Sequence, residues 1–396
     1  MCPHAVPDPL NPSPPSPLLS RTCVRAGATQ TGLHHDLITL IFTTSPTPSA
    51  PSTELLSEVI HSFQKHCPSL TACRVILVID TFDRVSSQNR LKKGTVTADG
   101  ATKFAEYKQN AKNLIINEYS RRFDKDEANN ELTVAEGEAE YGSDVYAQQT
   151  NAVPLTITKT RNGLVTFIEP DQRLGFGLAV RSALRLTETP YVWVQQHDWS
   201  LVSDIPLTPL LDIMRKTEAD PSSHPDPLTG LVSNISVPVK YICFPSTRML
   251  SYATSDHVVQ FPALKALTNL YKQSFSLHSP ETDTSVKIPL TPMFFWFDKP
   301  HIASTGHYLN HVFPNRLAMM RGAFIEDTVG HRARTEMKNG EWIKWACWLY
   351  YPDEGKKLVL RHLKGRTWRG TDGEEEQILE WKRLNALKQH RKHKKL

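Results

Sequence analysis

Nowhere in the 396 residues does an apolar run reach the ~18–20 residues that a bilayer crossing needs. The six cysteines, Cys2, Cys23, Cys67, Cys73, Cys243 and Cys347, contain no CxxC pair, so the usual zinc and dithiol signatures are missing. In a chain this long they read as reduced thiols that fill core, because disulfide frameworks belong mainly to short secreted chains. There is no GxxxxGK[ST] loop and no GxGxxG, only the fragment Gly175-Phe176-Gly177. That weighs against a P-loop ATPase and against a dinucleotide dehydrogenase. The net charge is only +5, too small for this length to point to a nucleic-acid partner. The N-terminal MCPHAVPDPLNPSPPSPLLS lacks the basic and apolar regions of a secretory signal. Its Ser and Arg suit an organellar transit peptide, while Asp8 and the prolines argue against one. The expected location is cytoplasmic or membrane-peripheral.

What is present is an α/β alternation. Residues 1–36 are rich in Pro and Ser and read as a disordered leader. Leu37–Phe42 is a continuous apolar run of strand length, as in a parallel strand covered on both faces. A Pro/Ser loop follows, and Ser52 or Thr53 is placed to cap a helix on which Leu55, Leu56, Val59, Ile60 and Phe63 share a face. Arg74–Ile79 is a second buried strand and ends at Asp80. Residues 92–153 read as an insertion over one sheet edge, with an amphipathic helix through Phe104, Tyr107, Ala111, Leu114 and Ile115. Its acidic part, DKDEANNELTVAEGEAEYGSD, is expected to be a solvated loop. Strand Leu164–Ile168, a helix through Phe176, Ala179, Val180, Ala183 and Leu184, and strand Tyr191–Val194 resume the alternation. Short strands are expected at Leu231–Ser233 and Tyr241–Phe244. Residues 37–370 therefore form one domain, and 371–396 a polar helix with the basic tip HRKHKKL.

Strands that end in polar groups are where an open α/β sheet binds ligands. The loop after Phe42, Asp80, and His197-Asp198 meet that description. Asp80 suits hydrogen bonds to a base or ribose. Asp198 suits a divalent cation, which would neutralise a diphosphate leaving group.

The order strand, Pro/Ser loop, helix, strand ending in Asp80, helix, then YVWVQQHDW resembles the GT-A glycosyltransferases of the family-2 type. The resemblance spans roughly residues 37–365 and implies a mixed, mainly parallel sheet flanked by helices. It implies sugar transfer from a nucleoside diphosphate to an acceptor hydroxyl, with inversion. In such enzymes a DxD motif binds Mn²⁺ or Mg²⁺; here the matching tripeptide is Gln196-His197-Asp198, and only Asp198 keeps the carboxylate. By the same resemblance Thr43, Ser45, Asp80, Arg173 and Arg181 would meet the donor nucleotide. Asp198, His197 and the late His362 would meet the metal and diphosphate. Phe324-Ile325-Glu326-Asp327, trailed by Arg332, resembles the family's acidic motif, so Asp327 first and Glu326 second would act as base. QxxRW is absent; Trp345 to Trp348 and Arg366-Thr367-Trp368 supply only its residue types.

Each of these residues also has a plain structural role open to it. Asp80 and Asp198 can be turn formers, and Glu326 and Asp327 helix-start acids. His362 can be a surface residue. Trp342, Trp345 and Trp348 suit core on a helix better than a sugar platform. Two rival functions stay open: a non-catalytic relative, favoured by Gln196, and nucleic-acid binding through the basic tail, which is confined to the last few residues.

Overall fold

The structure is a computed structural model that describes residues 36–120, 127–142, 151–219, 237–279, 284–315 and 318–374, and positions 376, 379, 380 and 383. The expected leader, the strand at Leu231–Ser233 and the basic tip lie outside the described residues.

The first strand, β1 (Ile38–Thr44), is buried at every position, as its unbroken apolarity requires. Ser52 Oγ accepts the Glu54 N–H at 3.2 Å and opens α1 (Glu54–His66), whose buried face is Leu55, Leu56, Val59, Ile60 and Phe63. β2 (Arg74–Ile79) pairs parallel with β1. Thr97 caps α2 (Ala98–Ile115) through the Gly100 N–H, which buries Phe104, Tyr107, Ala111 and Ile115.

The acidic stretch is not a loop. Leu132–Glu140 is a nine-residue strand, β3, paired antiparallel along its length with β4 (Ala152–Thr160). Its alternation explains this. Thr133, Ala135, Gly137 and Ala139 share one face, and Glu136, Glu138 and Glu140 the other. Charge on an edge strand marks the side open to water and blocks edge-to-edge pairing; it does not mark a loop. β5 (Val165–Pro170) follows, then α3 (Phe176–Arg185) and β6 (Tyr191–Gln196).

The sheet is completed by β7 (Tyr241–Cys243), β8 (Gln273–Ser279), β9 (Thr284–Pro292), β10 (His301–Ser304) and β11 (Cys347–Tyr350). The strand order is β8-β9-β11-β7-β10-β6-β1-β2-β5-β4-β3. Eight of these strands point one way; only β4, β9 and β10 oppose them. The architecture is thus the expected mixed, mainly parallel α/β sheet flanked by helices. One continuous apolar core runs from Ile38 to Trp368. Trp342, Trp345 and Trp348 are all fully buried in it. They do not share a helix: Trp342 and Trp345 lie on a short one and Trp348 on β11. Among the described residues no helix is long and apolar enough to cross a membrane.

Strand order decides where a ligand can go. The chain leaves β1 for β2 on one side, adds β5 beyond it, and returns to place β6 on the other side of β1. That reversal opens a crevice at the carboxyl ends of β1 and β6.

Candidate active site

Thr44, Asp80 and His197 end three adjacent strands, and the ladder carries on through them. Asp80 donates its N–H to Thr44 O at 2.8 Å, and His197 its N–H to Thr43 O at 3.0 Å. Above them lies a first cavity with about 830 Å³ of empty space, walled by Thr43–Pro46, Asp80–Phe82, Lys92, Arg173, His197-Asp198 and Arg366. A second cavity, with about 940 Å³, adjoins it and is lined by Trp199, Arg248, Asp298, Lys299, Glu326 and His362. Gln196 and Phe324 line both.

Asp80 is buried, and its carboxylate collects backbone amides. Oδ1 accepts Leu174 N at 2.7 Å and Thr81 N at 3.0 Å, and Oδ2 accepts Gly175 N at 2.9 Å. It anchors the loop that opens α3, where Gly175 has φ +79 and a Cβ would strike the Gly322 backbone at 2.5 Å. Burial pushes the Asp80 carboxyl up to about 6, against the pull of those amides and of Arg173. Arg173 is held by Asp83 at 3.4 Å, which also holds Arg321 at 2.9 Å.

His197 is buried with its Nδ1 2.8 Å from Thr44 Oγ1, and that oxygen is 2.7 Å from Tyr107 Oη. Ser45 donates its N–H to the same Nδ1 at 3.3 Å. An Nδ1 that accepts an amide proton leaves the ring proton on Nε2. Burial lowers the His197 pKa against the opposing pull of Asp198.

Asp198 meets His362 across 164 residues of chain. The strand Leu360–His362 pairs with Trp199–Leu201, which sets His362 Nε2 3.1 Å from Asp198 Oδ2 and its ring centroid 4.7 Å from that of Trp199. Gly365 N donates to the same oxygen at 3.2 Å, and Leu363 N to Asp198 O at 2.7 Å. Burial opposes a charge on Asp198, but His362, His197 and the Gly365 amide outweigh it and hold the carboxyl below its usual range.

These residues do not make a cage for the expected Mn²⁺ or Mg²⁺. Asp198 supplies the one carboxylate beside His197; its Oδ2 is already engaged by two donors, which leaves only the buried, unpartnered Oδ1. His197 presents an N–H, not a lone pair. Gln196 stands where a second carboxylate would be, with its amide held 2.7 Å from Asp298 O. Gly365 lies so close that a Cβ there would sit 2.9 Å from His197 Nε2 and 3.1 Å from Asp198 Oδ2. Among the described residues no three His, Cys, Asp or Glu side chains are grouped to hold a metal ion.

In the second cavity Asp298 and Glu326 interlock. Glu326 N donates to Asp298 Oδ1 at 3.1 Å and Asp298 N to Glu326 Oε2 at 3.4 Å. Asp298 Oδ2 is buried with no hydrogen-bond partner. Burial, then the charge of Glu326, raises the Asp298 pKa well above the ordinary carboxyl value. Lys299 beside it is lowered by burial. Asp298, Lys299, Arg248, Lys92 and Arg366 did not emerge from the sequence reading as site residues. Asp298 carries the same signal as Asp80, an acid closing an apolar run (Met293–Phe297).

Two expected site residues lie elsewhere. Arg181 is buried on α3, donates to Glu140 O at 3.0 Å and lies 3.9 Å from Glu140 Oε2; it ties the helix to the edge strand and lines neither cavity. A guanidinium placed between helix and sheet serves packing, so the expectation of donor contact is corrected. Asp327 is exposed and also lines neither cavity, while Glu326 lines the second. Arg332 does not hold the acidic pair; it donates to His311 O at 3.1 Å and stacks over Trp345.

No family model matches the chain, and no curated protein matches it. Among solved structures, Staphylococcus aureus TarS 1–349 is 10% identical over 82% of this chain and 59% of its own, with a TM-score of 0.35. The same fragment in complex with UDP is 9% identical over the same shares, again at 0.35. The chain spans 36% of the longer TarS structure.

Proposed function

We propose that the chain is a glycosyltransferase that binds a nucleoside-diphosphate sugar in the first cavity and an acceptor hydroxyl in the second. One observation carries this reading: at the carboxyl ends of the parallel strands two cavities, each lined by both cations and carboxyl groups, open onto each other at Gln196 and Phe324. The nucleoside lies against Thr43, Ser45 and Asp80 at the strand ends, and the diphosphate meets Lys92, Arg173 and Arg366. The sugar sits at the shared mouth. The acceptor oxygen bonds to the anomeric carbon as the bond to the diphosphate oxygen breaks. The hydroxyl proton passes to Glu326, on the side away from the leaving group, and the configuration inverts. Asp298 fixes the Glu326 backbone and, protonated, adds no second charge beside it.

Isothermal titration with the common nucleoside diphosphates, followed by hydrolysis assays of the matching sugar nucleotides, tests this. Micromolar to low-millimolar binding with slow sugar release is the expected outcome. Binding without any turnover would favour a catalytically silent relative. No binding by any nucleotide would sink the donor reading.

A further inference from the structure

In the first cavity the Asp80 carboxylate and Asp198 Oδ2 are engaged by the protein, Asp198 Oδ1 is buried without a hydrogen-bond partner, and two of the cations are in no ion pair. Asp80 is saturated by three amides, and Asp198 Oδ2 by His362 and Gly365. Lys92 and Arg366 line the same space and are exposed. Among the described residues neither forms an ion pair. Arg366 belongs to a segment that Asp198 holds at three points: Leu363 N on its carbonyl, and His362 and Gly365 on its carboxylate. Within the latch, between Leu363 and Gly365, Lys364 takes φ +55, a left-handed turn closed by Thr367 N on Lys364 O at 2.8 Å, and the turn sets Arg366 at the cavity wall.

We propose that Leu360–Arg366 is a diphosphate clamp: Asp198 latches it to the end of β6, and Arg366, with Lys92 and Arg173, neutralises the diphosphate in place of a divalent cation. This rests on the donor reading above for the identity of the natural ligand, but the clamp itself recognises only the diphosphate. Asp198 is then a positioning residue. Guanidinium–phosphate pairs are charge-assisted and frequently bidentate, so one such side chain can carry a large share of the affinity.

The test is isothermal titration of the full-length protein with UDP, GDP and inorganic pyrophosphate, each in EDTA and in Mn²⁺. Wild type is expected to bind pyrophosphate and one nucleotide with affinities within about threefold in the two buffers. Arg366→Ala should weaken both ligands roughly 10- to 100-fold in either buffer, and Arg366→Lys should restore part of that. Asp198→Asn should weaken binding through the same element, so that the double variant binds no worse than Arg366→Ala alone. Should Asp198→Asn not fold, Gly365→Ala lifts the segment while keeping every carboxylate, and it should mimic the loss of Arg366. Nucleotide binding that appears only with Mn²⁺ and vanishes in Asp198→Asn would overturn the clamp and leave the donor reading standing. Pyrophosphate binding in EDTA without any nucleotide binding would keep the clamp and remove the donor reading. A Gly365→Ala protein that binds like wild type would remove the clamp.

Discussion

The two cavities share a mouth but are built in opposite ways. The first is walled by the ends of three neighbouring parallel strands; backbone amides of nearby loops engage Asp80 and Asp198 Oδ2, while Asp198 Oδ1 is buried without a hydrogen-bond partner. The second gathers Trp199, Arg248, Asp298, Glu326 and His362 from five separate segments, and it too keeps a buried carboxyl oxygen with no partner. The first cavity is therefore built by neighbouring strand ends and the loops beside them, and the second by segments that meet only in the tertiary fold.

The sharpest way to break this contrast is Glu326→Gln. Transfer or hydrolysis should fall by about 10²-fold or more, with nucleoside-diphosphate affinity unchanged by titration. Asp327→Asn should stay within about twofold. If the two variants behave alike, the division of labour is wrong.

Acid is the next probe, because the buried histidines and the buried carboxyls titrate with opposite effects on stability. Behind the second cavity, burial lowers His301 to about 4 and His307 to about 3. The unfolded chain takes up these protons near 6.5, so stability is full above that pH. It declines by about 1.4 kcal/mol per pH unit per histidine as pH falls toward the folded values. Asp80, raised to about 6, works the other way: the folded state binds its proton first, and stability rises as pH drops from 6 toward 3.8. Asp298, raised by burial, acts in the same sense as Asp80, and His197, lowered by burial, in the same sense as the other two histidines; three histidines outweigh two carboxyls, so the urea midpoint should fall from pH 6.5 to 4. His307→Phe should flatten that fall, and Asp80→Asn should steepen it. A midpoint independent of pH would show that the histidines are hydrated.

Asp80→Ala probes the first cavity directly. It strands three amide donors at a buried site, which costs about 3 kcal/mol at 1–3 kcal/mol per unsatisfied group with partial relaxation. Nucleotide affinity should drop with it, since the Leu174–Phe176 wall loosens. A thermal melt beside a titration checks both. The smallest effect is expected from Arg181→Ala: a loss of stability of about 1–2 kcal/mol with nucleotide affinity unchanged. A weakened affinity would return Arg181 to the donor site.

Much of this was legible before any coordinates. The unbroken apolar runs of β1, β2 and β6 announced buried parallel strands, and their polar ends announced Asp80 and His197-Asp198. Local chemistry suffices there, because a strand covered on both faces admits almost nothing polar until it emerges. The acidic strand β3 was misread because charge density was weighed ahead of the period-two alternation beneath it. Asp298 was passed over although Phe294-Phe295-Trp296-Phe297 leads into it as the apolar run of β2 leads into Asp80.

Sequence by itself determined the α/β class, the parallel centre of the sheet, and the polar strand ends that line the first cavity. Only the tertiary structure decided which side chains share a cavity. Asp198 and His362 are 164 residues apart and meet through a two-stranded ribbon. Glu326 lines the second cavity and Asp327 does not, by one step of rotation along the Glu326–Gly330 turn. Arg181 lines neither cavity because of the face of α3 on which it falls. Periodicity reports which face of an element is apolar, but contacts between distant elements depend on how those faces are packed against one another, and no local pattern encodes that.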